Sequence, residues 1–269
     1  GLANLEISPE FAAKLWACFG ATLRMGAIVR TSRDCHQASH MVKRAIICGL
    51  HSAGVDVHDF RVVPIPVVRY QTGARGAVGG VHVRKSPFDS ELIDIQFFDE
   101  RGMDISSSWE KSIERSFFRE DFRRAKVDEI GHLSLPVYDV ELYQEGVLSV
   151  IDPGALRRRG FRIVIDYAYG SSSIIFPQIL GRLGCEVIAM NAYLDPGRIT
   201  KSAEGFHRSL QQLSEIVKSL GADLGIMLDT GAEKIFVVDD TGNLLSDDLA
   251  LALVALLVMR THPPGVIGI

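Results

Sequence analysis

The chain reads as an α/β protein of two consecutive three-layer α/β/α domains with mixed, mostly parallel sheets. Three observations predict this. Short apolar strands alternate with helical stretches, the arrangement that builds a parallel sheet covered by helices on both faces. A long, charged, mainly helical stretch at about 106–145 interrupts the alternation, which restarts after Asp152-Pro153-Gly154; this sets a boundary at residue 150 between a first domain, 1–150, and a second, 151–269. Finally, 269 residues that are 47% hydrophobic and 23% charged are enough for two cores of ordinary size.

The elements follow in order. A helix is predicted over 9–19, then a strand at Ala27-Ile28-Val29 that ends in the polar Thr31-Ser32-Arg33-Asp34. The next helix, 37–53, carries Met41, Ala45, Cys48 and Gly49 on one face, small enough to lie close against a sheet, and Gly54 ends it. Val55-Asp56-Val57 is a strand, and Pro64-Ile65-Pro66 opens a helix carrying Val67, Val68 and Tyr70. Val81 and Val83 mark another strand, and Leu92, Ile93, Ile95 and Phe97 an alternating strand that returns beside it. His82 alternates with its valine neighbours and so points to the opposite face, toward a cleft. The 106–145 stretch breaks around 131–136. In the second domain, 162–166 is a strand, Ser171-Ser172-Ser173 caps a helix running to 183, and 185–190 is a strand. Leu210, Leu213, Ile216, Val217 and Leu220 mark an amphipathic helix. Strands at 224–228 and 235–238 flank the short loop Asp229-Thr230-Gly231-Ala232-Glu233-Lys234. The apolar run 249–259 reads as a buried helix begun by Ser246, Asp247 and Asp248.

Several function classes are disfavoured. A net charge of −4 does not suit a general nucleic-acid binder. The densest basic segments, Arg157-Arg158-Arg159 and 119–126, read as solvated helix faces. Four scattered cysteines contain no CxxC pair, so neither a zinc site nor a redox motif is indicated; Cys48 and Cys185 read as packed, reduced thiols, which suits a cytoplasmic protein. The run 249–259 is too short to span a bilayer. No leader precedes Leu2, and the Pro263-Pro264-Gly265 turn reads as unfinished, as in a piece of a longer protein. His36 and His40, four apart at a helix start, are better read as capping or exposed than as ligands. No Ser-His-Asp order, P-loop or GxGxxG motif is present.

The richest stretch is Val83-Arg84-Lys85-Ser86-Pro87-Phe88-Asp89, a loop between two strands. A serine beside two cations suits phosphate, because guanidinium and ammonium groups form charge-assisted hydrogen bonds to phosphate oxygens. The same residues also suit a plain turn in which Ser86 caps and the cations are solvated.

Ser32-Arg33-Asp34, Lys43-Arg44-Ala45 with Gly49-Leu50, Val63-Pro64-Ile65-Pro66, and Gly79-Gly80-Val81 leading to Phe97-Phe98-Asp99 resemble the first domain of the alpha-D-phosphohexomutases, the phosphomannomutase and phosphoglucomutase group. Val164-Ile165-Asp166-Tyr167-Ala168, Leu183-Gly184-Cys185 and Gly221-Ala222-Asp223-Leu224 resemble its second domain. More narrowly, 83–89, 117–124 and 166–170 resemble the mutase-like portion of bacterial proteins that carry a sugar-phosphate nucleotidyltransferase domain ahead of it. The resemblance implies a chain that supplies domains one and two of four, with domains three and four and a linked nucleotidyltransferase elsewhere in the full-length protein. It implies a hexose phosphate substrate, a phosphoserine at Ser86 as catalytic residue, and Mg²⁺ held by the second domain. Carried over by position, Arg33 falls on a first-domain arginine of the family, and Asp229 and Glu233 on two of the metal ligands; Arg84, Lys85 and Lys234 are read as phosphate-binding from their charge near Ser86. The reading also allows a homo-oligomer.

Three departures from the family pattern stand out. Pro87 occupies the place of a histidine in the serine loop, Gln96 that of a lysine ten residues after the serine, and Gly231 that of the middle of three aspartates in the metal loop. Glutamine cannot exchange a proton near neutral pH. Two carboxylates leave a cation's sphere to water and carbonyl oxygens, which weakens the expectation of Mg²⁺. Cations near Ser86 offer a partial replacement for the metal. Two functions follow: a phosphohexomutase module in nucleotide-sugar supply, or a catalytically silent mutase-like module that binds sugar phosphate or regulates a linked mannose-1-phosphate guanylyltransferase-type domain. A purely structural oligomerisation domain is a third.

Overall fold

The computed structural model describes residues 1–74 and 76–261. Helix α1 (Pro9–Ala21) begins where Ser8 Oγ accepts the Phe11 amide, and it lies against α2 (Gln37–Ser52). The small face of α2 therefore meets a helix as well as the sheet. A Cβ on Gly49 would stand 2.3 Å from the Ala13 carbonyl oxygen, so only glycine allows this approach. Cys48 is exposed, not packed, because it falls on the outer side of this pair.

The first sheet contains β1 (Ile28–Arg33), β2 (Asp56–Val62), β3 (Gly79–Lys85), β4 (Ile93–Asp99) and β5 (Leu133–Ser134), in the order β4-β3-β1-β2-β5. All neighbours are parallel except β3 and β4. β1 runs on through the polar Thr31-Ser32-Arg33, since a strand flanked on both sides needs no apolar sequence to keep its backbone bonds. One face, with Val29, Val57, Val81 and Val83, packs on α1 and α2. The other lies under α3 (Ile65–Ala74).

The 106–145 stretch holds α4 (Ser107–Arg119), the edge strand β5 and α5 (Asp139–Ser149). Residues 120–126 are not a solvated helix face: the Arg123 guanidinium donates to the carbonyls of Gly20, Leu23 and Ala53 and locks the ends of α1 and α2. The basic run 157–159 closes a short helix, α6 (Pro153–Arg159).

The second sheet has the order β7-β6-β8-β9, from β6 (Arg162–Asp166), β7 (Glu186–Met190), β8 (Leu224–Leu228) and an antiparallel β9 (Ile235–Val238). Ser171-Ser172-Ser173 does not cap a helix; it forms a 3-10 turn ahead of α7 (Phe176–Arg182). The amphipathic α8 (Ala203–Leu220) buries Leu210, Leu213 and Val217 on this sheet. One apolar cluster joins the two halves: Phe60, Val63, Ile65, Val67, Val68 and Phe98 with Tyr143 of α5 and Ile175, Ile179 and Leu183. Helix α9 (Asp247–Thr261) forms where expected but buries no residue; Leu249 and Leu257 are 48% and 60% exposed. The Pro263-Pro264-Gly265 turn lies outside the described residues. Among those residues, no helix is long and apolar enough to cross a membrane.

Candidate active site at the serine loop

The β3–β4 hairpin sets the site. Antiparallel pairing places Lys85 opposite Ile93, Arg84 opposite Asp94 and His82 opposite Gln96, so Ser86 sits just past the last ladder pair. Its amide donates to the Leu92 carbonyl at 2.9 Å, and its Oγ accepts weakly from the Phe88 amide at 3.4 Å, closing a serine turn. The second half holds the loop from the other side: Thr200 Oγ1 donates to the Ser86 carbonyl at 2.8 Å and the Lys201 amide to that of Pro87 at 3.2 Å. Ser86 is only 7% exposed as a result.

Strand alternation separates the two cations that adjoin Ser86 in sequence. Lys85 lies on the α2 side, near enough to His36 to help burial push that imidazole's pKa down, against Asp34. Its amide donates to Asp34 Oδ2 at 2.6 Å, while Asp34 Oδ1 accepts the His36 amide at 2.9 Å. His36 is indeed a cap, its Nδ1 accepting the Ala38 amide. Arg84 points to the other face and reaches the 229–234 loop, with Nη1 3.4 Å from Asp229 Oδ2 and 3.3 Å from Glu233 Oε2, and Nε 3.4 Å from Asp94 Oδ2. His82 shares that face but does not open to a cleft: it is 1% exposed, and its Nδ1 lies 2.7 Å from Ser32 Oγ.

The 229–234 loop is drawn tight by its own first residue. Asp229 Oδ1 accepts the amides of Glu233 at 2.7 Å and Lys234 at 3.0 Å. The Gly231 carbonyl accepts the Ile65 amide, an N-terminal donor of α3 that lacks an intrahelical partner. Glu233 Oε1 accepts from Arg69 and its Oε2 from the Gln96 amide at 2.9 Å. Gln96, standing where the resemblance implies a lysine, thus serves as a fixed donor to Glu233. Lys234 Nζ stands 5.7 Å over the Phe88 ring. It lines, with Pro87, Phe88, Lys201 and Asp229, a largely apolar cavity of about 340 Å³ where the serine loop meets the second half. Arg84, Asp229 and Glu233 therefore meet at one junction, with Lys234 beside it across the Phe88 ring of the loop that carries Ser86.

Arg33 belongs elsewhere. It lines a cavity of about 500 Å³ with His40, Lys43, Asp59 and Arg61, beside the buried Lys43–Asp59 ion pair at 2.5 Å. Its Nε is buried with no hydrogen-bond partner among the described residues.

Asp94, Arg69, Thr200 and Lys201 were not anticipated. Asp94 had a readable signal, because a hairpin that pairs position 82 with 96 also pairs 84 with 94. The other three come from distant segments, and nothing in their local sequence marks them.

The residues present do not fit a magnesium ion. All four carboxylate oxygens of Asp229 and Glu233 already accept from amide or guanidinium donors, whereas Mg²⁺ demands near-octahedral oxygen ligation. Among the described residues, no group of three or more His, Cys, Asp or Glu side chains is placed to hold a metal.

The sequence profile of the phosphoglucomutase/phosphomannomutase α/β/α domain I matches residues 1–124, and that of α/β/α domain II matches residues 141–242. The chain belongs to the phosphoglucomutase/phosphomannomutase family. It is 35% identical over 271 residues to a phosphoglucomutase/phosphomannomutase of Thermococcus kodakarensis, covering 99% of this chain and 59% of that protein. A phosphopentomutase of the same organism is 30% identical, with 97% and 56% covered. A crystal structure of a family protein from Burkholderia thailandensis superposes with a TM-score of 0.84 at 21% identity, over 97% of this chain and 57% of that one, which shows the shared fold. The chain thus spans somewhat under three-fifths of the length of these relatives.

Proposed function

We propose that the full-length protein is a phosphohexomutase acting on hexose phosphates, with Ser86 as its phosphoryl carrier. The observation that supports this reading is the fixing of the serine loop from both halves: the β3–β4 hairpin holds the Ser86 amide, while Thr200 and Lys201 of the second half hold the carbonyls of Ser86 and Pro87. In the proposed exchange, the Ser86 Oγ–P bond breaks as a hexose hydroxyl oxygen bonds to phosphorus, and the hydroxyl proton ends on Ser86 Oγ, which is left as a free serine hydroxyl. The resulting bisphosphate then returns its other phosphoryl group to Ser86 Oγ. Positioning dominates such a transfer, which suits a serine locked from both sides. The remaining length found in the relatives supplies the rest of the cleft, so turnover belongs to the full-length protein.

Incubation of that protein with a hexose 1,6-bisphosphate, followed by intact-mass measurement and peptide mapping, is expected to place one phosphate on Ser86. Ser86→Ala should abolish mutase turnover; a Ser86→Ala protein that interconverts hexose 6-phosphate and 1-phosphate at the wild-type rate rejects the proposal.

A second reading is favoured by one specific contact. Gln96 donates to Glu233 and carries no titratable proton, so the attacking hydroxyl has no proton acceptor there. On this reading the module binds sugar phosphate, or regulates a linked nucleotidyltransferase, without turnover. It predicts no phosphate on Ser86 and an altered transferase on deletion of the module; an unaffected transferase argues against it.

A further inference from the structure

We propose that the Arg84 guanidinium is the resident cation of the 229–234 loop and stands in for a divalent metal there. The inference rests on family membership and not on turnover, so it holds for an active or a silent mutase.

Four observations carry it. Arg84 reaches three carboxylates at once, those of Asp94, Asp229 and Glu233, at 3.3 to 3.4 Å. Its side chain is 13% exposed and that of Asp229 12%, so the attraction is felt away from bulk water, where it is less screened. Every carboxylate oxygen of Asp229 and Glu233 already accepts from a donor: Asp229 Oδ1 from two backbone amides, Asp229 Oδ2 from Arg84, Glu233 Oε1 from Arg69, and Glu233 Oε2 from the Gln96 side-chain amide, with Arg84 Nη1 paired to it at 3.3 Å.

The fourth observation is steric. A Cβ built on Gly231 would lie 2.6 Å from Arg84 Nη1 and 2.7 Å from Ile65 Cδ1. A side chain at 231 requires both the Arg84 guanidinium and the Ile65 terminal methyl to move aside. The missing carboxylate and the added guanidinium are therefore two sides of one exchange: the loop gives up a ligand at the point where strand β3 delivers a cation. An arginine is suited to it, being permanently charged, forked and more weakly hydrated than an ammonium. The cation is also covalently part of the other half, so the loop that would otherwise hold a metal instead latches the two halves together.

Soaking crystals of the full-length protein in Mn²⁺ tests this directly. The expected result is no anomalous density peak in the 229–234 loop, with Arg84 still on Asp229 and Glu233; a Mn²⁺ peak touching Asp229 or Glu233 overturns the proposal. Solution Mn²⁺ titrations followed by electron paramagnetic resonance provide the second arm. Wild type and Asp229→Asn should bind Mn²⁺ alike, since the loop contributes no site. Arg84→Ala combined with Gly231→Asp should gain a site of about tenfold or higher affinity that is lost again on adding Asp229→Asn. Wild-type binding that depends on Asp229 counts against the inference, as does a folded double variant with no gain. Neither arm reads mutase turnover, so a blank activity assay leaves the result interpretable.

Discussion

His82 has the full width of a sheet around it and no water. Burial, with Arg84, Lys43 and Arg69 adding repulsion, pushes its pKa down from 6.5 to about 3. The ring is neutral in the folded protein, sharing a hydrogen bond with Ser32 Oγ. Between these two values the unfolded chain takes up a proton that the folded chain refuses, so the stability tied to His82 is present at neutral pH and falls as pH drops below about 6.5. The slope approaches roughly 1.4 kcal/mol per pH unit for one such group. His36, His40, His51 and His58 are shifted the same way, burial being the main cause, and add to it. Urea unfolding at pH 7 and pH 5 should show wild type losing more stability on acidification than His82→Gln. Equal losses in the two proteins would show that the ring is protonated in the fold. The alternation of Val81, His82 and Val83 told which face the ring takes; it could not tell that α3 covers that face, because covering is decided by a helix whose packing is non-local.

At the scale of elements, the close approach of α1 and α2 depends on one glycine and one arginine. Gly49→Val forces a branched side chain into the Ala13 carbonyl, and the helices must part; the expected cost is about 2 kcal/mol or more, read as a lower urea midpoint with an unchanged slope. Arg123→Ala frees the carbonyls of Gly20, Leu23 and Ala53 at the ends of both helices, an expected loss of about 2–3 kcal/mol. Arg123→Lys should recover little, since an ammonium lacks the planar fork that spans three acceptors; near-complete recovery would mean that charge alone suffices. The small face of α2 was legible from Ala45 and Gly49, and its partner was not: small residues announce a close neighbour without saying whether it is helix or sheet. The same limit applies to α9. Its all-round leucines state that it needs covering, and among the described residues nothing covers it.

Across the whole molecule, the strands were readable as short apolar runs between turns, and 224–228 and 235–238 appear as expected, whereas the two-residue edge strand β5 falls in a stretch read as a break. The serine loop offered a phosphate reading and a plain turn from its residues alone, the 229–234 loop gained a role only through resemblance, and their meeting was not readable at all. It depends on Arg84 crossing from one half to the other, together with the apolar cluster from Phe60 to Leu183 beneath it. This makes the ion cluster a test of how the halves are joined. Arg84→Met leaves Asp229 and Glu233 facing each other with their main cation gone, and one-sided loss of such a largely buried pairing is expected to cost about 2–4 kcal/mol. Adding Asp229→Asn and Glu233→Gln removes the stranded charges, while the carbonyl oxygen of the new amide side chain can still accept the loop amides, so the triple variant should regain most of the loss. Hydrogen exchange at the amides of Ile65 and Lys201, which bond across the junction, reads the same event locally. Their protection should fall in Arg84→Met and return in the triple variant. Unchanged protection in Arg84→Met would mean that the apolar cluster alone holds the halves together and that the arginine serves the loop only.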